Sequence, residues 1–121
     1  MPMVGLGTFL SKDPEELETV LKSAILEKGY RHIDCAQGYG NEDVLGRVLK
    51  YCFEQGIKRE DLFIVTKCLP AKHDAVEKSL EESLEKLQLT YVDLYLVHHM
   101  CPKIDGETWE ITGPSIEKVW K

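Results

Sequence analysis

Tyr30-Arg-His-Ile-Asp-Cys-Ala-Gln-Gly-Tyr-Gly-Asn-Glu42 is the stretch that decides the fold. Arg31 to Cys35 reads as a short β-strand closing on ionisable residues, with Asp34 at its end. The chain then opens into a loop carrying Tyr39 between Gly38 and Gly40, and a helical pattern begins at Asn41. Parallel α/β proteins present their chemistry in this way, on loops at the carboxyl ends of strands.

Working outward, the same strand–loop–helix order recurs. Upstream, Met3 to Gly7 is a short apolar segment running into Thr8-Phe9. Asp13-Pro14 supplies an N-cap with proline in the first helical turn. Leu17, Val20, Leu21, Ala24 and Ile25 recur at helical spacing, and Gly29 ends that helix. Downstream, Val44, Leu45, Val48 and Leu49 form one face of a second helix that stops near Gly56. After a charged connection, Lys58 to Asp61, the run Leu62-Phe63-Ile64-Val65-Thr66 is a buried-type strand ending at Lys67, with Pro70 blocking its extension. Asp74 and Glu77 resemble a capping box before a helix that aligns Val76, Leu80, Leu84 and Leu87. Tyr91 to Val97 is a fourth strand ending at His98-His99. Met100 to Thr112 is a loop, and Pro114 to Lys121 starts a fourth helix, with Ile116, Val119 and Trp120 as its apolar positions. Strand and helix alternate in units of about thirty residues, which predicts a parallel sheet with right-handed crossovers.

Bulk composition narrows the function classes. The 121 residues suffice for one small domain, 43% hydrophobic and 30% charged. A net charge of −6 argues against a nucleic-acid or anionic-membrane surface. No apolar run approaches a membrane span, and Met-Pro-Met-Val-Gly lacks the basic region and apolar core of a secretory signal. Cys35, Cys52, Cys68 and Cys101 form no close pair, so reduced thiols in a cytoplasmic protein are expected, with neither a disulfide framework nor a zinc site.

In a parallel sheet the strand ends share one rim. Asp34, Lys67 and His98 end strands two, three and four, and Tyr39 follows strand two. Neighbouring strands are about 4.8 Å apart, so Asp34 and Lys67 can pair. A cation beside Tyr39 would stabilise its phenolate and make the phenol a readier proton donor to an oxygen gaining charge. A neutral His98 could hydrogen-bond the same oxygen.

In order and spacing these residues resemble an aldo-keto reductase. The resemblance rests on Gly5-Leu6-Gly7-Thr8-Phe9, His32-Ile33-Asp34-Cys35-Ala36 with Tyr39 and Asn41-Glu42, Thr66-Lys67, and Ser83-Leu84 with the run from Tyr91 to His98. It covers nearly the whole chain but only the amino-terminal half of that family's (β/α)8 TIM barrel. It implies that residues 1–121 are about the first four βα units, ending within the fourth helix. It further implies NADPH-dependent reduction of an aldehyde or ketone, with NADH not excluded. Tyr39 would be the proton donor, Lys67 its activating cation held by Asp34, and His98 the residue orienting the substrate carbonyl. Gly7, Thr8, Phe9 and Asp34 would lie near the cofactor, and Phe9, His98 and His99 would line the substrate pocket. Two positions depart from the family pattern, since Trp is usual at His99 and common at Phe9, and both bear on substrate choice. The family's nicotinamide-stacking aromatic, amide-binding polar residues and phosphate-gripping loop belong to the half this sequence does not contain.

Each signal has a plainer reading. Alone, Asp34 is a turn residue, Tyr39 a loop aromatic, Lys67 a solvated strand end and His98 a core histidine; the four together favour catalysis. His98-His99 as a metal pair is disfavoured because adjacent strand residues point to opposite faces. His32, Trp109 and Trp120 read as packing residues. Gly5-x-Gly7 lacks the third glycine of a dinucleotide-binding loop. The expected partner is a small carbonyl compound, with no nucleic acid and no membrane. A monomer is implied for the full-length form. The alternatives are a catalytically silent half-barrel whose open edges pair two copies, and a non-catalytic subunit on the reductase fold.

Overall fold

The computed structural model describes residues 1–69 and 75–99. Four parallel strands, β1 (Leu6–Gly7), β2 (His32–Asp34), β3 (Phe63–Cys68) and β4 (Leu94–Val97), lie side by side in sequence order. Three helices form the other layer: α1 (Pro14–Lys22), α2 (Glu42–Glu54) and α3 (Val76–Leu87). The predicted parallel βα order is therefore present through four strands. The predicted loop from Met100 to Thr112, the fourth helix with Trp120, and Pro70, Asp74, Cys101 and Trp109 lie outside the described residues.

Local chemistry explains the helix ends. Asp13 Oδ1 accepts from the amides of Glu15 (2.9 Å) and Glu16 (3.2 Å), as an N-cap should. After α1 the chain widens into a π-turn over Ser23–Glu27. Gly29 then takes φ +74°, and the Tyr30 amide donates to Ala24 O. α2 buries Val44, Leu45, Val48 and Leu49 as its spacing predicts, and the core adds Leu17, Leu21, Ile25, Ile33, Ile64 and Leu87. Burying each such side chain contributes about 1.5–3 kcal/mol.

Four expectations need correction. Val20 falls at the edge of the α1 stripe and is 45% exposed. On α3 the buried positions are Ser79, Ser83 and Leu87, while Val76, Leu80 and Leu84 are half-buried; the helix is turned toward its serines because Ser79 hydrogen-bonds Gln37. β3 continues to Cys68, which places Lys67 one residue inside the strand. β4 starts at Leu94 and not at Tyr91.

The late start of β4 has a side-chain cause. Asp93 Oδ2 accepts from the Ile64 amide and from Arg59 Nη2, each at 2.8 Å. Arg59 also donates to Tyr91 O at 3.0 Å and lies 3.9 Å from the Tyr91 ring centroid. This cluster sets where β4 joins β3. Asp93→Ala strands the Ile64 N–H and a largely buried guanidinium, so a loss of about 2–3 kcal/mol is expected. Urea denaturation reads it directly; an unchanged midpoint would show that the cluster does not hold the β3–β4 junction.

Candidate active site

Register decides which side chains share a face. Gly7 pairs with Asp34, Asp34 with Val65, Val65 with Leu94, and Lys67 with Leu96. Because parallel partners point to the same side, Asp34 and Lys67 rise from one face, and Lys67 sits one layer above Asp34. Its stem reaches back to that carboxylate. Lys67 Nζ donates to both Asp34 oxygens, with Oδ2 at 3.0 Å, to Cys35 O at 2.9 Å and to Tyr39 Oη at 3.2 Å. The Lys67 side chain is 12% exposed. Burial pulls its pKa down, but the bonds to Asp34 and Tyr39 outweigh that and raise it above the ordinary lysine value.

An ammonium has three hydrogens and accepts nothing. Lys67 therefore directs one to Asp34, one to Cys35 O and one to Tyr39 Oη. The phenolic oxygen is the acceptor in that bond, which leaves its own hydrogen free to point at something else.

Tyr39 closes a short 3₁₀ turn, Gln37–Tyr39, and Gly40 follows at φ +69°. The Tyr39 ring lies 5.0 Å from Phe9 and 5.4 Å, edge to face, from His98. Phe9, Gly38, Tyr39, Leu69, His98 and His99 line a cleft of about 470 Å³. A Cβ at Gly38 would meet Leu69 Cδ2 at 2.9 Å, so a side chain there would have to displace the tip of Leu69 in the cleft wall. All three residues predicted to line a substrate pocket thus face one cavity with the predicted proton donor.

His98 is held toward its neutral form, first by burial and then by the nearby His99 and Lys67. The two imidazoles stack at 4.6 Å and 18°. The expectation that they point to opposite faces fails because β4 ends at Val97 and alternation stops with it. Among the described residues no three metal-ligating side chains cluster. His32 is a packing residue, edge-on to Phe63 with Nδ1 3.3 Å from Pro2 O. Linkage gives a testable sign. A histidine whose folded pKa lies below its unfolded value of 6.5 keeps full stability above 6.5 and loses it as pH falls through the folded value. His98→Gln is therefore expected to flatten the stability-against-pH curve on the acid side of 6.5, read by urea midpoints at several pH values; an unaltered slope would remove His98 as its source.

The cofactor expectations place differently. Gly7 has open space where a side chain would stand: a Cβ there would meet no described atom within 4 Å. Phe9 is 64% exposed, and the Asp34 side chain 40%. Thr8, by contrast, is fully buried. Its hydroxyl donates to Asn41 Oδ1 at 3.2 Å, so Thr8 supports the rim from beneath.

The sequence reading missed the residues that hold Tyr39. Gln37 is buried, accepts from Ser79 Oγ at 2.8 Å and donates to Glu82 Oε2 at 3.1 Å. Glu42, 1% exposed, accepts from Thr66 Oγ1 at 2.6 Å, beside Lys67. The flank of Tyr39 is thus tied to α3 and to β3. Cys35, Cys52 and Cys68 are buried thiols outside any disulfide. Burial, and then the Glu42 carboxylate, push the Cys35 thiol up to about 12, so it is inert.

Comparison with known proteins gives the family. The model of the "Aldo/keto reductase family" matches residues 3–121. The chain belongs to that family. It is 48% identical over 99 residues to an aldose reductase of Encephalitozoon cuniculi, covering 81% of this chain and 33% of that one. It is 48% identical over 104 residues to an NADP-dependent D-sorbitol-6-phosphate dehydrogenase of Malus domestica, with coverages of 84% and 33%. Among solved structures, an aldo-keto reductase of Bombyx mori in complex with NADP superimposes with a TM-score of 0.86 at 35% identity, covering 99% of this chain and 41% of that chain. The chain spans about a third of the length of the curated relatives it matches. No helix among the described residues is long and apolar enough to cross a membrane.

Proposed function

We propose that this chain carries the catalytic rim of an NADPH-dependent reductase that converts an aldehyde or ketone to an alcohol, and that residues 1–121 are the amino-terminal βα units of its barrel. One observation carries the reading: Lys67 donates to Tyr39 Oη at 3.2 Å while Asp34 fixes the ammonium. That arrangement leaves the phenolic hydrogen available and places a full positive charge beside the phenolate that remains after the hydrogen is given away.

In this reading Tyr39 transfers its proton to the carbonyl oxygen as negative charge develops there. Lys67 stabilises the phenolate electrostatically in a partly buried setting, where a charge acts more strongly than in water. Neutral His98, its ring edge-to-face with Tyr39 at 5.4 Å, orients the same oxygen through an imidazole N–H. Phe9, Leu69 and His99 exclude water around the carbonyl. The dihydronicotinamide, when bound, supplies hydride to the carbonyl carbon; Gly7, Phe9 and Asp34 are the residues of this chain that would border it. The open space over Gly7 and the exposed edge of Asp34 fit such a group. The relatives' NADP dependence supports NADPH as the nucleotide. The full-length chain is expected to oxidise NADPH when given a small aldehyde, followed by loss of dihydronicotinamide absorbance. Absence of turnover with a panel of aldehydes and ketones would leave the alternative of a silent or non-catalytic member.

A further inference from the structure

We propose that Asn41 is a positioning residue: its side-chain amide clamps the turn Thr8–Ser11 in the conformation that holds Phe9 against Tyr39. The inference rests on the reductase reading only for its kinetic consequence.

Asn41 occupies the N-cap of α2, where an asparagine normally bonds the first free amides of its own helix. Here it makes no such bond among the described residues. Its amide nitrogen instead donates to Thr8 O at 2.9 Å and to Ser11 O at 3.2 Å, and its Oδ1 accepts from Thr8 Oγ1 at 3.2 Å. All of this takes place at 5% exposure. A side chain is thus diverted from its local task to a segment some thirty residues away, and it grips both ends of one turn.

That turn has reason to need a grip. The Ser11 amide donates to Thr8 O at 3.3 Å, closing a four-residue turn whose third residue, Leu10, has φ +63°. A left-handed conformation is unfavourable for a residue with a Cβ, and glycine or asparagine usually stands there. Leu10 is 68% exposed, so its side chain gains little burial to offset the strain. Phe9 is also largely exposed, and its ring contact is with Tyr39. The backbone of the turn is what fixes Phe9, and the backbone is held by Asn41. Strain of this kind persists only where surrounding bonds over-determine it.

The test separates clamping from helix capping. Serine caps a helix about as well as asparagine, so Asn41→Ser preserves α2 while removing both donors to the turn. In the full chain, NMR should show a clear Phe9–Tyr39 ring-proton cross-peak in the starting protein, its loss in Asn41→Ser, and its return in Asn41→Ser combined with Leu10→Gly, since glycine adopts the turn without strain. β3 and α3 amide shifts should stay in place throughout. An unchanged cross-peak in Asn41→Ser overturns the proposal, and so does its failure to return in the double variant, which would mean general loosening. Should Asn41→Ser not fold, Asn41→Asp keeps a capping side chain and Oδ1 while removing the N–H donors to Thr8 O and Ser11 O; a weakened cross-peak supports the clamp and an unaltered one overturns it. With an aldehyde as substrate, KM is expected to rise about tenfold in Asn41→Ser while kcat holds within about threefold, because an apolar wall binds substrate and transition state alike. Lack of NADPH oxidation in the starting protein would reject the reductase reading alone, since the ring contact is read without turnover.

Discussion

Tyr39→Phe is expected to lower aldehyde-dependent NADPH oxidation by about 10²–10⁴-fold, the usual contribution of a positioned general acid. The substitution is narrow. It keeps the ring that touches Phe9 and His98 at centroid distances of 5.0 and 5.4 Å. It removes one oxygen, the acceptor of a Lys67 hydrogen at 3.2 Å. Lys67 keeps its bonds to Asp34 and Cys35 O, so the fold should lose no more than about 1–2 kcal/mol. A large loss of kcat beside a nearly unchanged urea midpoint would therefore identify the hydroxyl itself as the reacting group. Steady-state kinetics over a range of aldehyde concentrations makes the measurement. If the variant kept a tenth or more of the starting kcat, the proton would have another source. His98 would then be the next group to test, although its neutral form would have to surrender an N–H that it holds far more tightly than an imidazolium does.

The tetrad was legible in the sequence for a simple reason. Parallel strands put their carboxyl ends together, so polar residues at three strand ends and one following loop had to share a rim once the βα order was read. What could not be read was the support. The Asn41 bonds to Thr8 and Ser11, and the Ser79 bond to Gln37, join residues 30 to 42 positions apart; periodicity within a helix carries no trace of them. Sequence marks Asn41 only as the start of a helical pattern; tertiary geometry puts it at the N-cap of α2 and turns its amide to the Thr8–Ser11 turn. The α3 face was misjudged for a related reason. Counting leucines assumes that the apolar stripe is the buried one, whereas Ser79 and Ser83 are fully buried and the helix turns to meet the Gln37 amide. The sequence reading ends the third strand at Lys67, whereas β3 runs one residue further to Cys68; the expected pairing with Asp34 is joined there by a bond to Cys35 O. For Asn41 and for α3 the missing information was a long-range hydrogen bond.

The second large effect is expected away from the cleft, at Gly46→Ala. Gly46 lies in the middle of α2 and is buried. In a helix interior alanine is ordinarily favoured over glycine by about 1 kcal/mol, so propensity alone predicts stabilisation. Packing predicts the reverse. A Cβ at Gly46 would come within 2.9 Å of Leu87 C and 3.0 Å of Leu87 Cα, and closer still to Lys86 O. These are backbone atoms at the end of α3 and cannot swing aside as a side-chain tip would. The two helices would have to part, loosening Leu45, Leu49 and Leu87, each of which is fully buried. Overpacking of this kind costs about 1–3 kcal/mol, and against rigid backbone the upper end applies. A net loss of about 2 kcal/mol, or roughly 10 °C in Tm, is the expected result by thermal denaturation. A raised Tm would mean that α3 shifts freely on α2. The consequence would reach the site as well, because α3 carries Ser79 and Glu82, which bond the Gln37 side chain, and Gln37 begins the turn that ends in Tyr39. A helix displaced at its far end would therefore be felt at Tyr39, and Gly46→Ala should lower kcat at temperatures where the protein is still fully folded. That joint loss of stability and turnover is what distinguishes a packing contact that also aligns the rim from one that only fills the core.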